Sequence, residues 1–275
     1  MTALPDLDRR PSLARLALHR AAIELTGFLR ERDAVVFTLA LPVVILTLLG
    51  SIVDGVYPGS EVTSAQYLAP SMIAAGIAST TFINLGTGIA ADRDDGTLRR
   101  LRGVPMPPAA YLLGKVLMAL VLTIGETVLL LGVAVAAFDL RLPTEPARWL
   151  TFGWVFLLGT TACALLGIAA SSLARSARSA AAVMNLPYLV LAFISGIFYT
   201  PIRALPEPLI TVGSLFPLKW MAQGFRSVFL PDTILSQEVV PSWEHGRVAL
   251  VLAAWCIGGM VLCLTTFRWQ GRRGR

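Results

Sequence analysis

Val116 to Phe138 reads VLMALVLTIGETVLLLGVAVAAF, a run of 23 residues in which Glu126 is the sole charged side chain. A helix needs about 20 mostly apolar residues to cross the hydrocarbon core of a bilayer, so this run reads as a transmembrane span. Five further runs pass the same test, at 34–53, 67–91, 149–173, 180–199 and 248–267, and none of them holds Asp, Glu, Lys or Arg. The fold class that follows is an all-α membrane protein with six transmembrane helices. Composition agrees, with 55% hydrophobic and 15% charged residues among 275 and a mean hydropathy of +0.69, far from the roughly quarter-charged make-up of soluble domains. A disordered chain and a disulfide scaffold are excluded: hydrophobicity is too high for the first, and three cysteines, all within spans, are too few for the second.

Six spans place both termini on one side, and the basic residues say which. The N-terminal 33 residues, the 92–115 connection, Arg175 with Arg178, and the tail 268–275 together hold 17 Lys and Arg, against six on the other side. The positive-inside rule therefore puts both termini in the cytoplasm. The net charge of +6 is accounted for as topology, and nucleic acid is not expected as a partner. The first 33 residues carry charges throughout with no short apolar core and cleavage site, so no cleaved signal is expected. Only two of the 23 basic residues are lysine, a bias that suggests a GC-rich bacterial genome and hence the bacterial plasma membrane.

The organisation then divides into a cytoplasmic segment 1–33, a transmembrane domain 34–267 and a basic tail 268–275. Within 12–32, Leu18, Ala21, Ala22, Leu25, Phe28 and Leu29 recur at helical spacing with Arg15, His19 and Arg30 opposite, which reads as an amphipathic helix in the cytoplasmic interface. In the 92–115 connection, Asp92, Asp94 and Asp95 precede Arg99, Arg100 and Arg102. That order complements the dipole of a short helix beginning near Gly96 and would expose Leu98 and Leu101 as a peg for another protein's groove. The external segment 200–247 contains two apolar runs too short to cross, 209–218 and 220–230, read as re-entrant or interfacial helices with Lys219 and Arg226 snorkelling to headgroups.

Three motifs resemble those of the membrane permeases of type-2 ABC exporters, and within them the antibiotic-resistance branch typified by daunorubicin efflux. The first is Asp92-Arg93-Asp94-Asp95-Gly96-Thr97-Leu98-Arg99-Arg100-Leu101-Arg102 with Pro105 and then Tyr111-Leu-Leu-Gly114-Lys115. The second is Ser195-Gly196-Ile197-Phe198-Tyr199 with Leu205-Pro206, and the third runs from Phe216-Pro217-Leu218-Lys219-Trp220 to Arg226. They occur in order within a six-span frame covering nearly the whole chain. The family often has Glu where this chain has Asp94 and Asp95, a change that keeps the charge. The resemblance implies an ATP-driven exporter in which the N-terminal helix and residues 94–102 contact a separate ATP-binding cassette subunit, two copies of it being expected. It further implies a second permease copy, identical or related. The spans offer no charged ring for an ion, so the expected cargo is an amphipathic drug-like molecule or lipid taken from the bilayer.

No ATP site is expected in the chain itself, because the single Gly-Lys pair, Gly114-Lys115, is followed by Val116 rather than the Ser or Thr of a P-loop. ATP and magnesium would be bound by the partner, and no metal or cofactor site is expected here. Glu126 is the residue that chemistry singles out, since a mid-span carboxylate is costly unless neutral, paired or facing a cavity; it reads as a contact for a cationic drug on the pathway or a polar anchor between helices, or else as a protonated acid hydrogen-bonded to a neighbouring backbone. Asn84, with Thr80, Thr81 and Thr87 nearby, reads as an interhelical hydrogen-bonding group. The repeat Gly159, Cys163, Gly167 predicts close helix packing, within or between subunits. Two rival classes fit less well. A proton-coupled secondary transporter would use Glu126 as its relay but usually shows internal repeats, and an intramembrane enzyme lacks an arranged acid and base because His19 and His245 fall on opposite sides.

Overall fold

The computed structural model describes residues 12–53, 55–101, 103 and 106–266; Arg102, Pro105 and the tail 268–275 lie outside them. In chain order the helices are α1 (Leu13–Arg30), α2 (Arg32–Ile52), α3 (Ser64–Ala78), a π-helical segment (Ser79–Asn84), α4 (Leu85–Asp94), α5 (Thr97–Leu101), α6 (Pro108–Phe138), α7 (Pro146–Ser171), α8 (Ala177–Ile194), α9 (Glu207–Ser214), α10 (Pro217–Phe229) and α11 (His245–Thr266). Six of these units are long and apolar enough to cross a membrane: α2, the continuous α3–π–α4 unit, α6, α7, α8 and α11.

Local chemistry sets where they start. Proline stands in the first turn of α6, α7, α9 and α10, where its missing N–H costs no hydrogen bond and its fixed φ suits the helix. Thr63 with Gln66 and Ser176 with Ser179 form capping boxes on α3 and α8, each satisfying two otherwise orphaned donors. Because α6 starts at Pro108, Tyr111 and Lys115 belong to the helix rather than to the connection. Because α8 stops at Ile194, Ser195 and Gly196 open the following turn instead of ending the span.

The α3–π–α4 unit is the centre of the fold: it is the most buried of the six spans, whereas α2, α8 and α11 present most of their surface outward. Exposed Phe37, Leu48, Leu150, Leu250 and Leu264 are consistent with lipid around that periphery. The Gly159, Cys163, Gly167 surface packs within the chain. A Cβ on Gly159 would meet the Met221 side chain at 2.7 Å, and one on Gly167 would meet the Thr81 carbonyl at 2.6 Å. Helix α7 thus lies backbone to backbone against the π segment at one glycine and receives α10 at the other.

Helix α10 corrects one expectation. All 13 of its residues are buried, packed among α3, α7 and α11. Lys219 is 2% exposed and Arg226 0%, so neither extends outward as snorkelling requires. An amphipathic pattern reports two kinds of face; here the apolar face meets protein and the polar face meets buried polar partners.

Candidate functional site

At the end of the bundle that carries α1, the run Asp92-Arg93-Asp94-Asp95 closes α4, and each side chain goes to a different neighbour. Asp92 accepts from the Tyr111 hydroxyl at 2.7 Å and pairs with Lys115 Nζ at 2.8 Å, both on α6. Arg93 donates to the Ser171 carbonyl at 2.9 Å and its hydroxyl at 3.2 Å, at the end of α7. Asp94 accepts from the backbone N–H of Ala177 at 3.0 Å, in the first turn of α8, where a carboxylate also complements the helix dipole. Asp95 accepts from the Thr97 N–H at 2.8 Å and opens α5, and that hydrogen bond holds its carboxyl below the usual range. The acidic residues were expected to serve one short helix; they fasten three, and Arg93 among them fastens a fourth.

Gly96 turns the chain between α4 and α5 with φ +81, a left-handed conformation that a side chain resists. Leu98 is the second correction: it is 1% exposed and packs in a cluster with Leu85, Ile89 and Tyr111, with Leu101 half-buried against it. A helix of five residues sandwiched this closely turns its leucines into the fold. The surface it leaves outward is charged, formed by Asp94, Asp95, Arg99 and Arg100.

Helix α1 lies along α6. Gly114 allows it, since a Cβ there would meet Arg20 Cγ at 2.6 Å and the Ala17 carbonyl at 3.1 Å. Glu24 pairs with Lys115 at 2.8 Å and with Arg20, while Arg20 approaches Asp92 at 3.9 Å. Four charges from α1, α4 and α6 therefore form one cluster, with Arg20 and Lys115 both over the Tyr111 ring. The α1 face toward the protein is thus partly polar, and Leu18, Ile23 and Leu29 point outward. The cluster lines a cleft of about 630 Å³ between α1, α2, α4 and α6. Asn84 and Thr38 line it and join α2 to the π segment by a 3.2 Å hydrogen bond.

Beyond Thr80, which also lines the cleft, lies Glu126. The Thr80 hydroxyl donates to Glu126 Oε2 at 2.8 Å, the carboxyl is 2% exposed, and its Oε1 has no hydrogen-bond partner among the described residues. Gly76 makes the room, because a Cβ there would run into the carboxyl. π-Helical turns inside α-helices are frequent at functional positions, and this one presents Thr80 to Glu126 and Asn84 to Thr38.

At the opposite end, Arg226 pairs with Glu238 in a two-pronged contact at 2.5 and 3.0 Å. Its third nitrogen donates to Ser71 Oγ at 3.0 Å, and Tyr67 donates to Glu238 at 3.1 Å. Pro217 opens α10 and Leu218 enters the main core. Lys219 lies 3.5 Å from the Trp220 ring centroid, and burial brings its ammonium down to about 8, against the opposing pull of Glu244 and Glu238. Ser195 is buried, and Gly196, with φ +69, brings the turn against Ile202, whose Cβ an added side chain would meet at 2.5 Å. Sequence reasoning missed Arg20, Glu24 and Glu238, and it met Tyr111 and Lys115 only as members of the first motif, without a partner. The one local signal was the Arg20, Glu24 spacing of four, which places opposite charges on one helical face.

Comparison with known proteins agrees with this architecture. A model of the ABC-2 type transporter family matches residues 21–230. The putative transport permease YvfS of Bacillus subtilis (strain 168) is 25% identical over 240 residues, covering 87% of this chain and 91% of that protein. The family match spans Glu24, Asp92 and Lys115 of the charge cluster, the fastened acidic run, Glu126 and the whole of α10, and the chain belongs to the ABC-2 type transporter family, as a multi-pass membrane subunit that works with an ATP-binding cassette partner.

Proposed function

We propose that this permease works in the export direction, moving an amphipathic drug-like molecule or lipid out of a bacterial cell across its plasma membrane, with both termini in the cytoplasm. A separate ATP-binding subunit docks on the α4–α5 connection and α1, two such subunits serving two permease copies. The observation that carries the reading is the fastening of Asp92, Arg93, Asp94 and Asp95 to α6, α7, α8 and α5. A push on this connection reaches four helices through short polar contacts, as coupling to a closing ATPase dimer requires. With Leu98 buried, the docking surface is the charged one, and Arg99 and Arg100 are its positive elements.

The test is co-purification from the native membrane followed by a vanadate-sensitive ATPase assay. A bound P-loop ATPase is expected, with association weakened by Arg99→Glu combined with Arg100→Glu. A chain that purifies alone, and whose transport follows a proton gradient and depends on Glu126, would overturn the reading in favour of a proton-coupled transporter.

A further inference from the structure

The turn between α7 and α8, residues 172–176, gathers positive charge without matching negative charge. Arg175, in the turn, and Arg178, in the first turn of α8, are exposed, and neither makes an ion pair among the described residues. Arg93 reaches the same place from α4. Its hydrogen bonds go to neutral groups, the carbonyl and hydroxyl of Ser171, and its Nε has no partner among the described residues. Asp94, the carboxylate that also reaches the turn, is engaged by the Ala177 N–H at 3.0 Å. Among the described residues the turn thus brings together three guanidinium groups and one carboxylate. Apolar surface adjoins them. Leu173 is 73% exposed, and on α8 Arg178 heads a column of outward side chains at helical spacing, Ala182, Leu186, Leu189 and Phe193. Helix α8 has 18 residues and so rises about 27 Å, close to the roughly 30 Å of a hydrocarbon core. Its first turn, with Arg178, therefore falls at the headgroup boundary and the column below it among the acyl chains.

We propose that the α7–α8 turn binds an anionic phospholipid, its phosphate received by Arg175 and Arg178 and one acyl chain laid along Ala182, Leu186, Leu189 and Phe193. A guanidinium offers paired donors to phosphate oxygens. Arg93, half-buried behind them, adds a charge that salt screens less than it screens an exposed one. A zwitterionic lipid carries a cationic group beside its phosphate, which the neighbouring guanidinium groups repel, so the turn selects for net negative charge. The binding site stands on the turn and α8 alone; its assignment to the cytoplasmic leaflet rests on the placement of the termini in the reading above.

Native mass spectrometry of the full-length chain, titrated with phosphatidylglycerol or with phosphatidylcholine of the same acyl chains, measures the preference. Tighter binding of phosphatidylglycerol is expected. Arg175→Gln combined with Arg178→Gln should weaken it by roughly thirtyfold, the effect of removing two basic residues beside an anionic surface. Both side chains are exposed and outside any ion pair among the described residues, so the fold should be kept; Arg175→Lys with Arg178→Lys, which retains the charge, should retain the preference. Phosphatidylglycerol bearing a photoactivatable acyl chain, reconstituted with the chain in nanodiscs, should label residues 182–193. Equal affinity for the two lipids, or a preference that the glutamine pair leaves intact, overturns the proposal. Displacement of the lipid by an equimolar amount of inorganic phosphate also overturns it, by making the turn a site for a soluble anion. Label absent from α8 overturns it as well, and would give that face to a second copy of the chain. The two readings fail separately: a complex that hydrolyses ATP and exports cargo without this lipid preference removes the present assignment alone, and lipid binding by a chain that associates with no ATPase removes the export reading alone.

Discussion

The Arg226–Glu238 pair offers a sharp energetic test, because both partners are buried, at 0% and 3% exposure, and the geometry is two-pronged at 2.5 and 3.0 Å. Glu238→Leu leaves a guanidinium in the interior with Ser71 as its remaining hydrogen-bond partner among the described residues. Arg226→Met leaves a carboxylate there with the Tyr67 hydroxyl. Breaking a buried ion pair from one side typically costs about 3–5 kcal/mol, mostly as the penalty of the stranded charge. Removing both charges avoids that penalty. The double variant then loses only the hydrogen bonds of Tyr67 and Ser71, about 1–2 kcal/mol in all. The two single costs should therefore exceed the double cost by about 4 kcal/mol or more, a strongly non-additive cycle. Equilibrium unfolding in mixed micelles with increasing dodecyl sulfate measures it. Single variants costing under about 1 kcal/mol, or a double variant as costly as their sum, would refute the claim that the pair is desolvated and mutually dependent.

Three further outcomes follow from the same geometry. Gly114→Leu should displace α1 from α6, since even its Cβ would meet Arg20 Cγ at 2.6 Å; a proteolytic site should open between α1 and α2, and an unchanged digestion pattern would argue against the close approach. Gly167→Ala places a methyl 2.6 Å from the Thr81 carbonyl and 2.8 Å from that of Phe82, a backbone contact that cannot rotate away, and should cost about 1–3 kcal/mol by overpacking in the same unfolding assay. Lys219 falls to about 8 in the folded protein from an ordinary 10.5. Between those values the unfolded chain binds the extra proton, so this residue makes stability rise with pH from about 8 to 10.5. Lys219→Met should flatten that rise, and a slope identical in the two proteins would show that the ammonium is not desolvated.

The six spans were legible because an apolar run of membrane length is a local property. Their ends were not, because a helix that leaves the apolar zone does not stop there. Pro108 begins α6 well before Val116, taking Lys115 into the helix, where Glu24 and Asp92 neutralise it. Glu126 and Asn84 stood out in the sequence as polar groups in apolar runs, yet their partners Thr80 and Thr38 lie 46 residues away in each case, beyond any periodicity. Leu98 misled for a related reason: two leucines among arginines look like an exposed peg until α4 and α6 are seen to enclose one of them. Lys219 and Arg226 show the limit of amphipathic patterns, which cannot distinguish a headgroup region from the interior of the same protein.

The polar constellations have one element in common. The α3–π–α4 span contributes Tyr67 and Ser71 to the Arg226–Glu238 pair, Thr80 to Glu126, Asn84 to Thr38, and Asp92 to Lys115. It also carries the Asp92–Asp95 run that fastens α5, α6, α7 and α8. The unit is the central span, so an axial displacement imposed at α5 would not be absorbed by lipid; it would be felt at Glu126 midway and at Arg226 at the far end. The π segment is where the backbone departs from i,i+4 bonding, and such turns inside α-helices are frequent at functional sites. Thr80 and Asn84, two side chains that line the cleft, both lie within it. A shift that altered this turn would therefore change the hydrogen bond to Glu126 and the contact joining α2 in the same step, which ties movement at the α4–α5 connection to the polar lining of the cleft.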